Sequence, residues 1–265
     1  MLWTSASVPI IKIIFFDIDG TLIDMKTKRI SEKVMDTLKQ LKNNGIKICI
    51  ATGRSPITLP VFEGIEFDAY LTFNGSLCYD QSGVIFSNPI ISEDVNKIIR
   101  NAADIGRPVS VATKDRLASN GTDADLEEYY SFAGKKLEVA DDFDIVCKNE
   151  IYQIMLGCCE ADYDVILKDV REAKITAWWS RAVDIIPASG GKGVGIKKIL
   201  EFYGFGESEA LAFGDGDNDI EMLQVVGTGV AMGNASTRLK AIADEVCGHV
   251  AEDGIYYYCQ QHGLI

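Results

Sequence analysis

Ile13-Ile14-Phe15-Phe16-Asp17-Ile18-Asp19-Gly20-Thr21 is the stretch that decides how this chain folds. Four apolar residues in a row suit a strand buried on both faces. Two carboxylates then stand two residues apart where that strand should end, and Gly-Thr follows at once. A carboxylate pair in such a place is costly unless a cation or a proton neutralises it. The question is what the rest of the chain supplies to hold that charge.

Outward from this stretch, helical and strand-like segments alternate, which implies an α/β sheet with parallel strands. Ser31 is placed to cap a helix with Val34, Met35, Leu38 and Leu41 on one face, and Gly45 to end it. Ile46 to Ala51 reads as a second buried strand, and Thr52-Gly53-Arg54 leaves its end. Ala69 to Phe73 is a third. Asn74-Gly75 turns the chain into Ser76 to Tyr79, and a turn near Gln81-Ser82-Gly83 leads to Val84-Ile85-Phe86. The texture changes after Asn88-Pro89. A helix from Ser92 carries Val95, Ile98, Ile99 and Ala102 inward. Short strands are expected at Val109 to Thr113 and Arg116 to Ser119, then an acidic helix from Asp123 to Phe132 and a loop around Ala140 to Asp144. A strand at Ile151 to Cys158, a helix at Asp162 to Glu172 and a strand at Ile175 to Trp179 complete this block. The first texture returns near Ala182. It brings a helix at Gly193 to Tyr203, a strand at Ala210 to Phe213 ending in Gly214-Asp215-Gly216-Asp217-Asn218-Asp219, a strand at Gly229 to Ala231 and a helix around Ala235 to Ala243. Tyr256 to Tyr258 fall in a packed C-terminal helix. The expected fold is a doubly wound, Rossmann-like parallel sheet from residues 1–83 and 184–265. Residues 84–183 form an inserted α+β unit.

Composition narrows the function. The 265 residues are 47% hydrophobic, enough for a substantial core, and carry a net charge of -13. So acidic a chain is a poor partner for nucleic acid or an anionic membrane. A small phosphorylated ligand remains open, because a metal ion and a few cationic side chains reverse the local field. The seven cysteines are odd in number and the histidines are two. No C-x-x-C spacing occurs, so a zinc site or disulfide framework is not expected, and a reducing, cytoplasmic setting is. Met1 to Phe16 is fairly apolar but too short to span a membrane, and it reads as a tail leading into the first strand. Nothing decides between a monomer and a homodimer.

Ligands of open α/β sheets bind beyond the carboxyl ends of the strands. Three motifs fall at such ends: Asp17 with Asp19, Thr52-Gly53-Arg54, and Asp215 with Asp219. Carboxylates gathered there would repel, and Mg²⁺ is the natural remedy, since it takes a few carboxylates, waters and phosphate oxygens. Gly190-Gly191-Lys192-Gly193 lacks the Walker spacing and the Ser or Thr after its lysine, so it is not a P-loop.

Taken in order, D-x-D-G-T, T-G-R, a later Lys-Gly and G-D-x-x-N-D resemble the four motifs of the haloacid dehalogenase superfamily. The insertion is similar to the α/β (type IIB) cap of its Cof-type phosphatases. The resemblance implies a Mg²⁺-dependent phosphatase acting on small phosphorylated metabolites, above all sugar phosphates, through an aspartyl-phosphate. Asp17 would be the nucleophile and Asp19 the general acid and base. Asp17, the Asp19 carbonyl and Asp215 would hold the metal, with Asp219 close by. Gly20, Thr21, Thr52, Gly53 and Lys192 would surround the phosphoryl group, and Asn218 would orient phosphate or Lys192. Arg54 and Asn74 are open between a substrate contact and a purely local role. One of Trp178 and Trp179 is expected in the core of the cap, the other with Arg181 towards the cleft. A mutase or phosphotransferase using the same intermediate is the alternative, and a non-enzymatic phospho-Asp module a further one. A short tail precedes the first strand, where such chains often begin almost at once.

Overall fold

The computed structural model describes residues 10–265. The N-terminal tail lies outside the described residues except for its last few. In chain order the strands are β1 (Ile13–Phe16), β2 (Lys47–Ala51), β3 (Ala69–Thr72), β4 (Leu77–Asp80), β5 (Gly83–Ser87), β6 (Val109–Ala112), β7 (Leu117–Ser119), β8 (Gln153–Gly157), β9 (Ala173–Thr176), β10 (Ala182–Pro187), β11 (Ala210–Gly214), β12 (Thr228–Ala231) and β13 (Glu245–Val246). They form two sheets, ordered β13-β12-β11-β1-β2-β3-β4-β5 and β7-β6-β8-β10-β9.

The first sheet is parallel from β13 to β3 and antiparallel at its β4 and β5 edge. All four β1 residues are fully buried, as strands covered on both faces must be. Phe16 stacks on Phe213 of β11 at 5.4 Å, and Tyr258 of the last helix meets Phe213 edge-on. The helix Glu32–Asn43 starts where expected, because the Ser31 hydroxyl accepts the Val34 amide at 3.1 Å. The second sheet is antiparallel throughout. It packs on the helix Ser92–Asp104 through Val95, Ile98 and Ala102.

Several expectations need correction. β5 belongs to the first sheet and β10 to the second. The chain therefore crosses between sheets after Ser87 and after Pro187, not at 83/84 and 183/184. The helix expected over Asp162 to Glu172 is one turn, Tyr163–Ile166. Asn101 takes the carbonyls of Ile166 and Lys168, and the buried Asp94 carboxylate takes the amides of Arg171 and Glu172. With those backbone groups satisfied by side chains, further helical turns gain nothing. Asp169 then turns the chain at φ 60°. The expected loop around Ala140 to Asp144 runs into a helical turn, Phe143–Val146. β9 stops at Thr176, which pairs with Asp184, so Trp178 and Trp179 lie in the connection to β10 and not on a strand. They do not alternate in and out: the Phe132 ring touches both, each at 5.2 Å.

Candidate active site

β1 and β11 are adjacent and parallel, so their carboxyl ends deliver Asp17 and Asp215 to one point. The Asp17 amide donates to the Phe213 carbonyl at 3.0 Å, which carries the pairing one residue past the strand. Asp219 ends the turn Asp217–Asp219, and one of its oxygens accepts the amides of Asp215 and Gly216 at 2.9 and 3.0 Å. Oxygens of Asp17, Asp215 and Asp219 lie within 4.8 Å of one another.

Lys192 opens the helix Lys192–Tyr203 and reaches into this group. Its ammonium, wholly buried, lies 2.7 Å from Asp17 Oδ1 and bonds Asp219 Oδ1 as well. Burial alone would lower the lysine's pKa, but Asp17 and Asp219 outweigh it and Lys192 stays a cation. One cation does not balance three carboxylates. Burial first, and then Asp219 and Asp19, push Asp17 up to about 7 against the pull of Lys192. Burial and the Asp17 charge raise Asp215 well above the usual carboxylate range.

Gly20 and Thr21 fit around Asp215. Gly20 holds φ at 89°, and a Cβ there would stand 2.1 Å from Asp215 Oδ2. Only glycine tolerates both demands. Thr21 Oγ1 donates to Asp215 Oδ1 at 3.2 Å. Thr52 follows β2, and its buried hydroxyl oxygen accepts the Arg54 amide at 3.1 Å. Gly53 lies against Asn74, whose amide would be 3.0 Å from an added Cβ.

The two open residues now have partners. Arg54 grips Asp19 by both oxygens, at 2.6 and 2.7 Å, so it bears on the acid pair itself. Asn74, in the left-handed region at φ 52°, is buried and bridges the two sheets. Its oxygen accepts from Asn218 at 3.1 Å, and its nitrogen donates to Asp184 at 2.9 Å. Asn218 therefore braces Asn74, and among the described residues no hydrogen bond joins it to Lys192. Asp217 is not free: Ser236 and Arg238 bond it.

Three residues of the second unit were missed. Gln153 donates to the Gly53 carbonyl at 3.2 Å, Asp184 accepts from Asn74, and Tyr129 donates to Asp184. No motif spacing marks them, although a lone aspartate inside Ala-Val-Asp-Ile-Ile-Pro was a signal. The cleft that results runs from Asp17, Asp19, Thr52 and Asp215 below to Tyr129 and Trp178 above. Trp178 lines it, whereas Trp179 carries the Arg181 guanidinium at 4.9 Å from its ring.

A family model of haloacid dehalogenase-like hydrolases matches residues 14–259. The putative phosphatase YkrA of Bacillus subtilis is 35% identical over 257 residues, which is 96% of this chain and 98% of that protein. Among solved structures, the phosphatase BT1666 of Bacteroides thetaiotaomicron is 29% identical at a TM-score of 0.89, covering 100% of this chain and 99% of that one. The subclass IIB sugar phosphatase BT4131 is also 29% identical, at a TM-score of 0.87 over 96% of this chain and 100% of the other. Because the family match runs from β1 into the C-terminal helix and takes in both sheets and the whole acid cluster, the chain belongs to the haloacid dehalogenase-like hydrolases, in their capped, Cof-type branch.

Proposed function

We propose that this hydrolase is a Mg²⁺-dependent phosphomonoesterase for small phosphorylated metabolites, working through an aspartyl-phosphate on Asp17. The observation that carries the reading is the cluster of Asp17, Asp215 and Asp219, in which the buried Asp17 and Asp219 share a single ammonium. Its donors are all oxygens, which suits a hard divalent cation. Asp219 has both oxygens engaged by Lys192 and by the Asp215 and Gly216 amides, so Asp17 and Asp215 would hold the ion and Asp219 would steady them. When bound, Mg²⁺ would supply the missing positive charge for the carboxylates and for the phosphoryl oxygens.

Asp17 attacks phosphorus in line with the ester oxygen. The Asp17–phosphorus bond forms as the bond to the leaving oxygen breaks. Asp19 gives that oxygen a proton. It later takes one from the water that attacks phosphorus, which frees inorganic phosphate and restores Asp17. Arg54 holds both Asp19 oxygens and so fixes the carboxyl beside Asp17. Lys192 has three donors, of which Asp17 and Asp219 use two, leaving one for a phosphoryl oxygen. Thr52 accepts the Arg54 amide, so its own hydrogen is free for another. These donors are fixed before charge develops on the equatorial oxygens.

The test is phosphate release from p-nitrophenyl phosphate with Mg²⁺ and after EDTA. Activity should vanish with the metal, and Asp17→Asn should lower it by about 10⁴-fold or more. Full activity in EDTA, or in Asp17→Asn, would sink the reading.

A further inference from the structure

The floor of the cleft is acidic and its roof is not. Over Asp17 and Asp19 stand Tyr129, Phe132, Met155 and Trp178. Phe132 meets the Trp178 ring edge-on at 5.2 Å, and Tyr129 lies 5.6 Å from it. Apart from Lys135, the polar side chains that the roof brings to the cleft already hold partners inside the fold. The Tyr129 hydroxyl donates to Asp184, and the Tyr130 hydroxyl shares a hydrogen bond with Ser110. The Gln153 amide serves the Gly53 carbonyl and Asn74. At the side of the cleft, Ser55 and Thr58 bond each other.

A sugar or glycerol moiety would bring several hydroxyls under this roof. Each loses water there and meets few free partners, at about 1–3 kcal/mol for every hydroxyl left unpaired. A flat ring loses only apolar surface. Its contacts with Trp178 and Phe132 add about 0.5–1.5 kcal/mol beyond that burial. We infer that the leaving-group side of the cleft takes a planar aromatic ring, so that the substrate is the phosphate ester of an aromatic alcohol and not of a sugar. The inference deepens the phosphomonoesterase reading and rests on it for the bond that is cut.

Binding and turnover are tested apart. Benzylphosphonate and 3,4-dihydroxybutylphosphonate present the two kinds of moiety on a phosphoryl group that cannot be released. Calorimetric titration of the Mg²⁺-loaded wild type should find the aromatic probe about tenfold tighter or more. Trp178→Ala and Phe132→Ala should each erase most of that difference. Trp178 is 38% exposed, so its truncation leaves the core of the cap intact. Equal or tighter binding of the polyol probe overturns the inference. So does a preference that survives both substitutions, or benzylphosphonate that fails to bind at millimolar concentration. Benzyl phosphate and glycerol 3-phosphate, both esters of primary alcohols, then compare kcat/KM without a bias in the leaving group. Release of phosphate from neither would count against the phosphatase reading and leave the binding result standing.

Discussion

The two sheets put buried aspartates to opposite uses. In the first, Asp17 and Asp215 stand at strand ends, crowded by like charge and facing a cleft. In the second, Asp184 lies inside β10 with one oxygen held by Tyr129 and the other by Asn74. Both kinds are pushed up by burial, Asp17 and Asp184 alike to about 7. The difference is in what remains to be satisfied. The Asp17 cluster is short of positive charge and so is built to receive something. Asp184 is complete, and it ties the cap to the core through Asn74. A perturbed carboxylate marks chemistry only where its partners are unfinished.

Breaking the first arrangement should cost most. Lys192→Met would leave Asp17 and Asp219 buried without their cation, a loss of about 3–5 kcal/mol by urea unfolding, with turnover at background. If the variant is as stable as the wild type, Lys192 does not hold the cluster together. Gly20→Ala should matter less to stability but strongly to rate. The added Cβ displaces the Asp215 carboxylate, and kcat should fall about 10²-fold, as misplacement near reacting groups does. An unchanged kcat would mean that Asp215 is not fixed by that turn.

The smallest effect on turnover is expected at Asp184. Its folded-state pKa of about 7 lies above its value of 3.8 in the unfolded chain. The native state then binds the proton more tightly. This contribution to stability is complete below pH about 4 and is lost as pH rises through about 7. Asp184→Asn should therefore flatten the pH dependence of unfolding across that window, with activity at a fixed pH nearly kept. A slope identical to that of the wild type would make Asp184 a spectator and remove the contrast between the sheets.

Much of the site could be read directly. Asp17, Thr52 and Asp215 each follow an apolar run, and a strand end is a local event that periodicity and a turn residue mark. Lys192 came only through the family resemblance, as the later Lys-Gly of its four motifs. The role of Arg54 was not legible, since its partner Asp19 is 35 residues away and only the adjacency of β1 and β2 joins them. The helix after Asp162 failed for the same reason. Its backbone groups are claimed by Asn101 and Asp94 from another helix, which no local propensity foresees. Trp178 and Trp179 showed strand-like alternation, yet β9 ends where its pairing with β10 ends.

From the order of residues alone came the alternation of strands and helices, the acid pair at the end of β1 and the need for a cation beside it. These depend on near neighbours: burial periodicity, caps and turns act over a few residues. Tertiary structure decided which groups share a hydrogen bond across the fold. It set Arg54 on Asp19, Asn74 between Asn218 and Asp184, and an aromatic roof over an acidic floor. Those pairings follow from strand order and from how the cap docks, and both are settled by packing of the whole chain.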